Sequence, residues 1–202
     1  MKNFSLKFYS ILFFLFFLFF LAGCNNTGEL SLDNKNEPFL GGENASVVIT
    51  EFSDFECPAC SQMPPILHSI ANEFGNKIKI VYRNFPLPMH SHSREAAEAA
   101  RCAYDQNKFW EMHDEIFANQ NSLSKDKLKE LAVKIGLDTT AFQKCFDGRQ
   151  HAAKIEADFK EAVKLGITST PTFFVNGQKF SGVTTYEVFK NIIEGELAKN
   201  PQ

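Results

Sequence analysis

The sequence is poor in the residues that would turn its best motif into a metal site. Of its 5 cysteines, Cys57 and Cys60 form a Cys-x-x-Cys. No second Cys-x-x-Cys follows, and His68, His90 and His92 lack companions at ligand spacing. Half of a zinc site is therefore missing and no metal is expected. Excess positive charge is missing as well. Against 21 Lys and Arg stand 24 Asp and Glu, for a net charge of −3, which leaves no basic footprint for nucleic acid. No apolar run reaches the roughly 20 residues that span a bilayer. The nearest is Ile11 to Ala22, preceded by Lys2 and Lys7 in a stretch with no Asp or Glu and followed by Gly23. That pattern reads as an export signal over residues 1–23, with an uncleaved anchor as the alternative. Loss of both lysines with the signal leaves a net charge of about −5. From residue 24 to residue 42 large apolar side chains are scarce and Gly41-Gly42 closes the stretch. It reads as a flexible tether, too short for a dimerisation domain, and a monomer is expected.

What is present is enough apolar material for one sizeable core, 44% of the chain, and one chemically pointed stretch. Glu51-Phe52-Ser53-Asp54-Phe55-Glu56-Cys57-Pro58-Ala59-Cys60 runs from an apolar strand into the start of a helix. Two intervening residues let the cysteines close a small disulfide. A first cysteine at a helix start meets unpaired N–H groups and the positive end of the dipole, which favour its thiolate. Pro58 suits the first helical position, where its missing N–H costs nothing. The pair reads as a redox dithiol, against half a zinc site or an inert structural disulfide.

Taken in order, Val47 to Phe52 is a buried strand. Met63, Ile66, Leu67, Ile70 and Phe74 recur at helical spacing, with Pro64 and Pro65 expected to kink the first turns. Ile78 to Phe85 is a second strand, so residues 43–88 form a strand, helix, strand unit. Residues 89–165 change character. Helices are expected over Ala96 to Tyr104, Phe109 to Phe117, Leu128 to Ile135, Ala141 to Phe146 and Ile155 to Leu165. Stripes such as Ile155/Phe159/Val163 and the single Trp110 are assigned to the bundle core. In residues 166–202, Thr172 to Val175 and Gln178 to Phe180 flank Asn176-Gly177, a strong hairpin signal. Thr184 with Glu187 forms a capping box for a last helix carrying Val188, Ile192, Ile193 and Leu197. The mature chain thus reads as β, α, β, then ββα, interrupted by a helical insert.

Leu21-Ala22-Gly23-Cys24 resembles the lipobox of bacterial lipoproteins. The resemblance implies acylation of Cys24 and a membrane anchor outside the cytoplasm. The four remaining cysteines then pair as Cys57/Cys60 and Cys102/Cys145. An exported context favours a structural disulfide for the second pair over two buried thiols.

Phe-x-x-Phe-x-Cys-Pro-x-Cys in the first half, with Thr170-Pro171 before a strand and an Asn-Gly turn in the second, resembles the DsbA-like thiol:disulfide oxidoreductases, including BdbD-type oxidases and extracytoplasmic DsbA-like lipoproteins. The match runs from about Glu43 to Lys199. It implies a thioredoxin fold with an inserted α-helical domain. It also implies Cys57 as the attacking cysteine, Cys60 as the resolving one, a cis Thr170-Pro171 peptide that offers Thr170 to an extended substrate, and Pro65 as the helix-kink proline. Glu51 matches an acidic residue beneath the site that relays the Cys60 proton, with a solvated strand-end glutamate as the alternative. The dipeptide between the cysteines, Pro58-Ala59, departs from the histidine that strongly oxidising members often carry at the second position, so the potential is open. The resemblance implies exported proteins with free cysteines as substrates, a DsbB-like or VKOR-like membrane reoxidant, and no organic cofactor. The rivals are a disulfide reductase or isomerase on the same fold, and a metal- or substrate-binding lipoprotein whose cysteines never turn over.

Overall fold

The computed structural model describes residues 36–199. Its centre is a five-stranded mixed sheet in the order β1-β3-β2-β4-β5, built from Phe39–Gly41 (β1), Val47–Ser53 (β2), Ile78–Asn84 (β3), Thr172–Val175 (β4) and Gln178–Ser181 (β5). β2 runs parallel to β3, and the remaining pairs are antiparallel. Because β2 and β3 are covered on both faces, their sequences are runs of β-branched and aromatic residues, not alternations. One face packs Val47, Ile49, Ile78, Ile80 and Phe173 against helix α1 (Pro64–Phe74) and the C-terminal helix, here α7 (Tyr186–Lys199). The opposite face brings Phe52 and Phe174 against Phe85, Ala162 and Ile167.

Between β3 and β4 lie α2 (Ser93–Tyr104), α3 (Phe109–Ala118), α4 (Lys125–Lys134), α5 (Thr139–Asp147) and α6 (Ala152–Lys164). The fold is a thioredoxin fold carrying this helical insert. The insert's core, with Ala99, Met112, Ile116, Leu128 and Phe142, is continuous with Phe55, Cys57, Cys60 and Tyr82. The redox turn therefore sits on the seam between sheet and insert. Cys102 on α2 and Cys145 on α5 are joined by a disulfide with Cα atoms 5.9 Å apart.

Several local expectations change. Phe39–Gly41, read as the end of the tether, pairs with β3 as an edge strand. Gly41 adopts φ +89°, and a Cβ there would stand 2.1 Å from the Ile78 carbonyl oxygen, so glycine serves a close strand crossing instead of a flexible link. Trp110 is only half-buried, and its indole N–H donates to the Phe39 carbonyl at 3.0 Å, tying α3 to that strand. Pro64 and Pro65 do not kink a longer helix. A 3-10 turn, Cys60–Gln62, follows the Cys-x-x-Cys turn, and α1 starts at Pro64, where the missing N–H breaks nothing. Pro58 accordingly lies in the turn and not at the first position of the α-helix. Helices α4 and α5 begin earlier than their first large apolar residues because their caps do. Ser124 accepts from the Lys127 N–H, and Asp138 accepts from those of Thr140 and Ala141. For α7 it is the Thr185 hydroxyl, not that of Thr184, that accepts from the Val188 N–H. Val163 and Val188 are exposed, with Ala162 buried beside the first of them.

Candidate redox site

Strand β2 delivers the site. Glu51 and Ser53 lie two residues apart on one face, and Asp54 turns the chain into Phe55-Glu56-Cys57. Asp54 is 1% exposed and accepts from the Glu56 N–H (2.8 Å), the Leu87 N–H (2.6 Å), His90 Nδ1 (2.8 Å) and the Ser93 hydroxyl (2.6 Å). One carboxylate thereby fastens the approach to the cysteines to the loop after β3 and to the start of α2. At the N-cap of α2 the His92 N–H donates to Glu56 Oε2 at 2.5 Å. The turn closes on itself through Cys60 N–H to the Cys57 carbonyl (3.0 Å) and Ser61 N–H to the same oxygen (3.3 Å).

The two cysteines, both free thiols, differ sharply. Cys57 is 8% exposed and Cys60 is fully buried. The Cys57 thiol donates to the Thr170 carbonyl at 3.4 Å, and the Thr170-Pro171 peptide is cis. Pro58 is exposed and Ala59 half-buried on the outer side of the turn. A hydrogen bond from Cys60, assisted by Thr170 and the N–H groups of Cys60 and Ala59, outweighs partial burial and pulls the Cys57 thiol down to about 5. Burial pushes the Cys60 thiol far up. Its bond to Cys57 and the nearby Glu51 push in the same direction. Glu51 is 1% exposed and sits beside Tyr82 of β3 in the strand register. Burial raises its carboxyl from 4.5 to about 8. A carboxyl held neutral near pH 7 beneath a cysteine that strongly prefers its proton can exchange that proton with it.

The structure thus brings Cys57, Cys60, Thr170, Pro171, Pro58, Ala59 and Glu51 to one end of the sheet. Glu51 is not a solvated strand-end residue. Cys24 lies outside the described residues. Among those residues one group of three ligand-type side chains lies close enough for a metal, Cys102, Cys145 and His151, and both of its sulfurs are already committed to the disulfide. A cavity of about 210 Å³ lies within the insert, lined by Arg94, Glu98, Lys125 and Phe146 among others, and it involves none of the redox residues. Two contributors were not singled out from the sequence. Asp54 carried a signal, an Asp two residues before a backbone N–H that must turn away from a strand. Gln120 carried none. Its side-chain amide reaches from the turn after α3 to the Phe55 and Cys57 carbonyls, 2.9 Å from each.

A family model described as thioredoxin matches residues 33–195, so the chain belongs to that family. Its class within the fold is that of the DsbA-like thiol:disulfide oxidoreductases. The chain is similar to α-DsbA1 from Wolbachia pipientis, at 25% identity and a TM-score of 0.77 over 86% of this chain and 96% of that one. It is also similar to BdbD from Bacillus subtilis, at 27% identity and a TM-score of 0.74 over 82% and 95%. Among curated proteins it matches a Na(+)/H(+) antiporter, NhaA 1 of Salinispora arenicola, at 35% identity over 83% of this chain but 26% of that protein. The chain spans about a quarter of the length of such relatives, and antiport is a property of those longer proteins. Among the described residues no helix is long and apolar enough to cross a membrane.

Proposed function

We propose that this protein introduces disulfides into exported proteins, taking electrons from paired substrate cysteines into Cys57–Cys60. The observation that carries this reading is the asymmetry of the dithiol, with Cys57 8% exposed and bonded to the Thr170 carbonyl and Cys60 wholly buried. Starting from the disulfide form, a substrate thiolate attacks Cys57 Sγ and forms a mixed disulfide. The Cys57–Cys60 bond breaks, and Cys60 leaves with its electron pair and takes a proton from Glu51. A second substrate thiolate then attacks the substrate sulfur of the mixed disulfide and expels Cys57 as a thiolate. The substrate has lost two electrons and the protein holds them as a dithiol. A Cys57 thiol held near 5 makes that thiolate a good leaving group and stabilises the reduced protein, and both effects favour oxidation of substrates. Thr170 and Pro171, beside Cys57, are assigned to an extended substrate segment, and Pro58 and Ala59 to tuning of the potential. Cys102–Cys145 is assigned to structure.

The same reading places the protein outside the cytoplasm, acylated at Cys24 and held to the membrane through the segment between Cys24 and β1. It acts as a monomer and is reoxidised by a quinone-reducing membrane protein of the DsbB-like or VKOR-like kind. A reductase or isomerase direction is the second reading, because Ala59 supplies no charge to the Cys57 thiolate. The deciding experiment is the reduction potential of Cys57/Cys60 by equilibration with glutathione, on protein beginning after Cys24. A value above about −200 mV is expected for a donor of disulfides, and one near −270 mV would make it a reductant. A pair that never equilibrates, or thiol exchange unchanged by Cys57→Ser, would leave only a binding role.

A further inference from the structure

The helical insert reaches the redox turn through one side chain that neither catalysis nor packing of the core accounts for. Gln120 opens the short 3-10 turn Gln120–Ser122 between α3 and α4. Its Nε2 lies 2.9 Å from the Phe55 carbonyl and 2.9 Å from the Cys57 carbonyl. The amide's two N–H groups thus span the Phe55-Glu56-Cys57 segment, one on either side of Glu56. The Cys57 carbonyl also accepts from the N–H groups of Cys60 at 3.0 Å and Ser61 at 3.3 Å. It is therefore the acceptor on which the turn and the insert converge.

We propose that Gln120 is a positioning residue for disulfide exchange: by pinning the Phe55 and Cys57 carbonyls to the insert, it holds Cys57 Sγ where Cys60 and the turn's N–H groups can stabilise its thiolate. The inference rests on the reading of Cys57 as the attacking cysteine. A thiolate is favoured only by donors that stay aimed at it. Those around Cys57 belong to a turn of four residues that is too short to fix its own orientation against β4 and Thr170. The approach to the turn is fastened on one side by Asp54 and on the other by Gln120. Asp54 acts before the turn. Gln120 acts at Cys57 itself. Loss of the amide removes the tie from the insert to the Phe55 carbonyl and leaves the Cys57 carbonyl held only by the turn's own N–H groups, so the Cys57 peptide can shift with the turn and the donors that face the sulfur weaken together. The effect belongs to the reduced protein, where the thiolate exists.

The test measures the ionisation of Cys57 in the reduced protein by thiolate absorbance, and its alkylation rate across pH 3–9, in Gln120→Met and Gln120→Glu beside the parent protein. Methionine keeps the length without a donor. Glutamate keeps the shape, cannot donate when ionised, and adds a charge of the wrong sign. With one buried-segment hydrogen-bond pair removed, the methionine variant should need about threefold to tenfold less acid to protonate Cys57. Its alkylation should slow by a similar factor below the midpoint and not at all at pH 9, where the thiol is ionised regardless. The glutamate variant should shift further in the same direction. Thermal unfolding of each variant is recorded in parallel. A lowered melting temperature with an unmoved ionisation midpoint in both variants would make Gln120 structural and overturn the proposal. If the parent protein itself shows no thiol ionising well below the usual cysteine range, the reading of Cys57 fails first, and the two failures are thereby told apart.

Discussion

At the level of single residues, the site separates two chemically identical thiols by their surroundings. Cys57 is drawn down by hydrogen bonds it receives, and Cys60 is driven up by burial that outweighs the hydrogen bonds from Ser53 and the Asp54 backbone. When Cys60 leaves from the Cys57–Cys60 disulfide it needs a proton at once, and the proposed mechanism takes it from Glu51, whose charge acts on Cys60. The burial that fits Glu51 for this also costs stability. Its carboxyl is raised from 4.5 to about 8, so folding is unpenalised below pH 4.5, where the group is protonated in folded and unfolded chains alike. The cost grows as pH rises towards 8, because the unfolded chain can ionise and the folded one resists, and above 8 it is complete. Glu51→Gln removes the ionisation and keeps the shape. Its melting temperature should match that of the parent below pH 4.5 and rise above it progressively up to pH 8. At the same time, release of Cys60 in single-turnover exchange should slow by about a hundredfold or more, in line with loss of one general acid. Equal melting curves at pH 8 would mean that Glu51 has found a counter-charge or solvent.

At the level of elements, legibility follows how local each interaction is. Strands β2, β3 and β4 could be read because both faces are buried and each is dominated by β-branched and aromatic residues. The Asn176-Gly177 hairpin was legible because both residues take positive φ, 46° and 84°, as the tight turn requires. Strand β1 was hidden because Phe39-Leu40-Gly41 is too short and too plain to signal, and its strand character comes from β3 and from the Trp110 indole on α3. The caps shifted α4 and α5 because a helix starts where its orphan N–H groups find an oxygen, not where its apolar stripe begins. In the site, the cysteines and Thr170-Pro171 were visible as motifs. Gln120 was not, since an amide in a polar turn resembles any other loop residue until the fold brings it to Cys57. The Cys102–Cys145 link is an element-scale device. It staples α2 to α5 across 43 residues, which in the chain-entropy view stabilises by about 4 kcal/mol. Cys102→Ala with Cys145→Ala should lower the urea unfolding free energy of the oxidised protein by about that amount. Reactivity of Cys57 should stay within about twofold, because the redox turn is held by Asp54 and Gln120, neither of which contacts the link. A large loss of Cys57 reactivity would show that the staple, and not those two residues, sets the turn.

For the molecule as a whole, the question is what keeps the insert fixed on the sheet so that contacts across the seam can be set to a few tenths of an ångström. Much of the answer is a buried charge cluster. Arg83 of β3 binds Asp158 of α6 at 2.7 Å and also Glu161 of that helix. Asp158 accepts as well from the backbone and side-chain N–H groups of Asn84, at 3.2 and 3.0 Å, and from Lys154 at 2.5 Å. Glu37, ahead of β1, pairs with Arg101 of α2 at 2.9 Å and with Lys154. The cluster joins β3, α2, α6 and the residues ahead of β1, and Asp158 at its centre is 0% exposed, while Lys154 and Glu161 at its edge reach solvent. Opposing guanidinium and ammonium groups hold the Asp158 carboxyl below its usual value in spite of burial, so its contribution is present at neutral pH and is lost only as pH falls through the carboxylate range. The consequence is an asymmetry between two ion pairs of α6, one to Arg83 of β3 and one to Arg94 of α2 within the insert. Asp158→Ala removes the acceptor shared by Arg83, Lys154 and Asn84, leaving Arg83 to Glu161 and Lys154 to Glu37, and should cost up to about 3–5 kcal/mol in urea unfolding, nearly independent of added salt because buried pairs are weakly screened. Arg94→Ala, which breaks the pair with Glu156 whose side chains are 52% and 41% exposed, should cost less than about 1 kcal/mol and fade with salt. If both variants cost the same, or if the Asp158 loss vanishes at high salt, the cluster is solvated and the insert is held by its apolar seam alone. In that case Cys57 reactivity would be unchanged in Asp158→Ala, because the hydrogen bonds of Gln120 to the Phe55 and Cys57 carbonyls would not depend on the cluster.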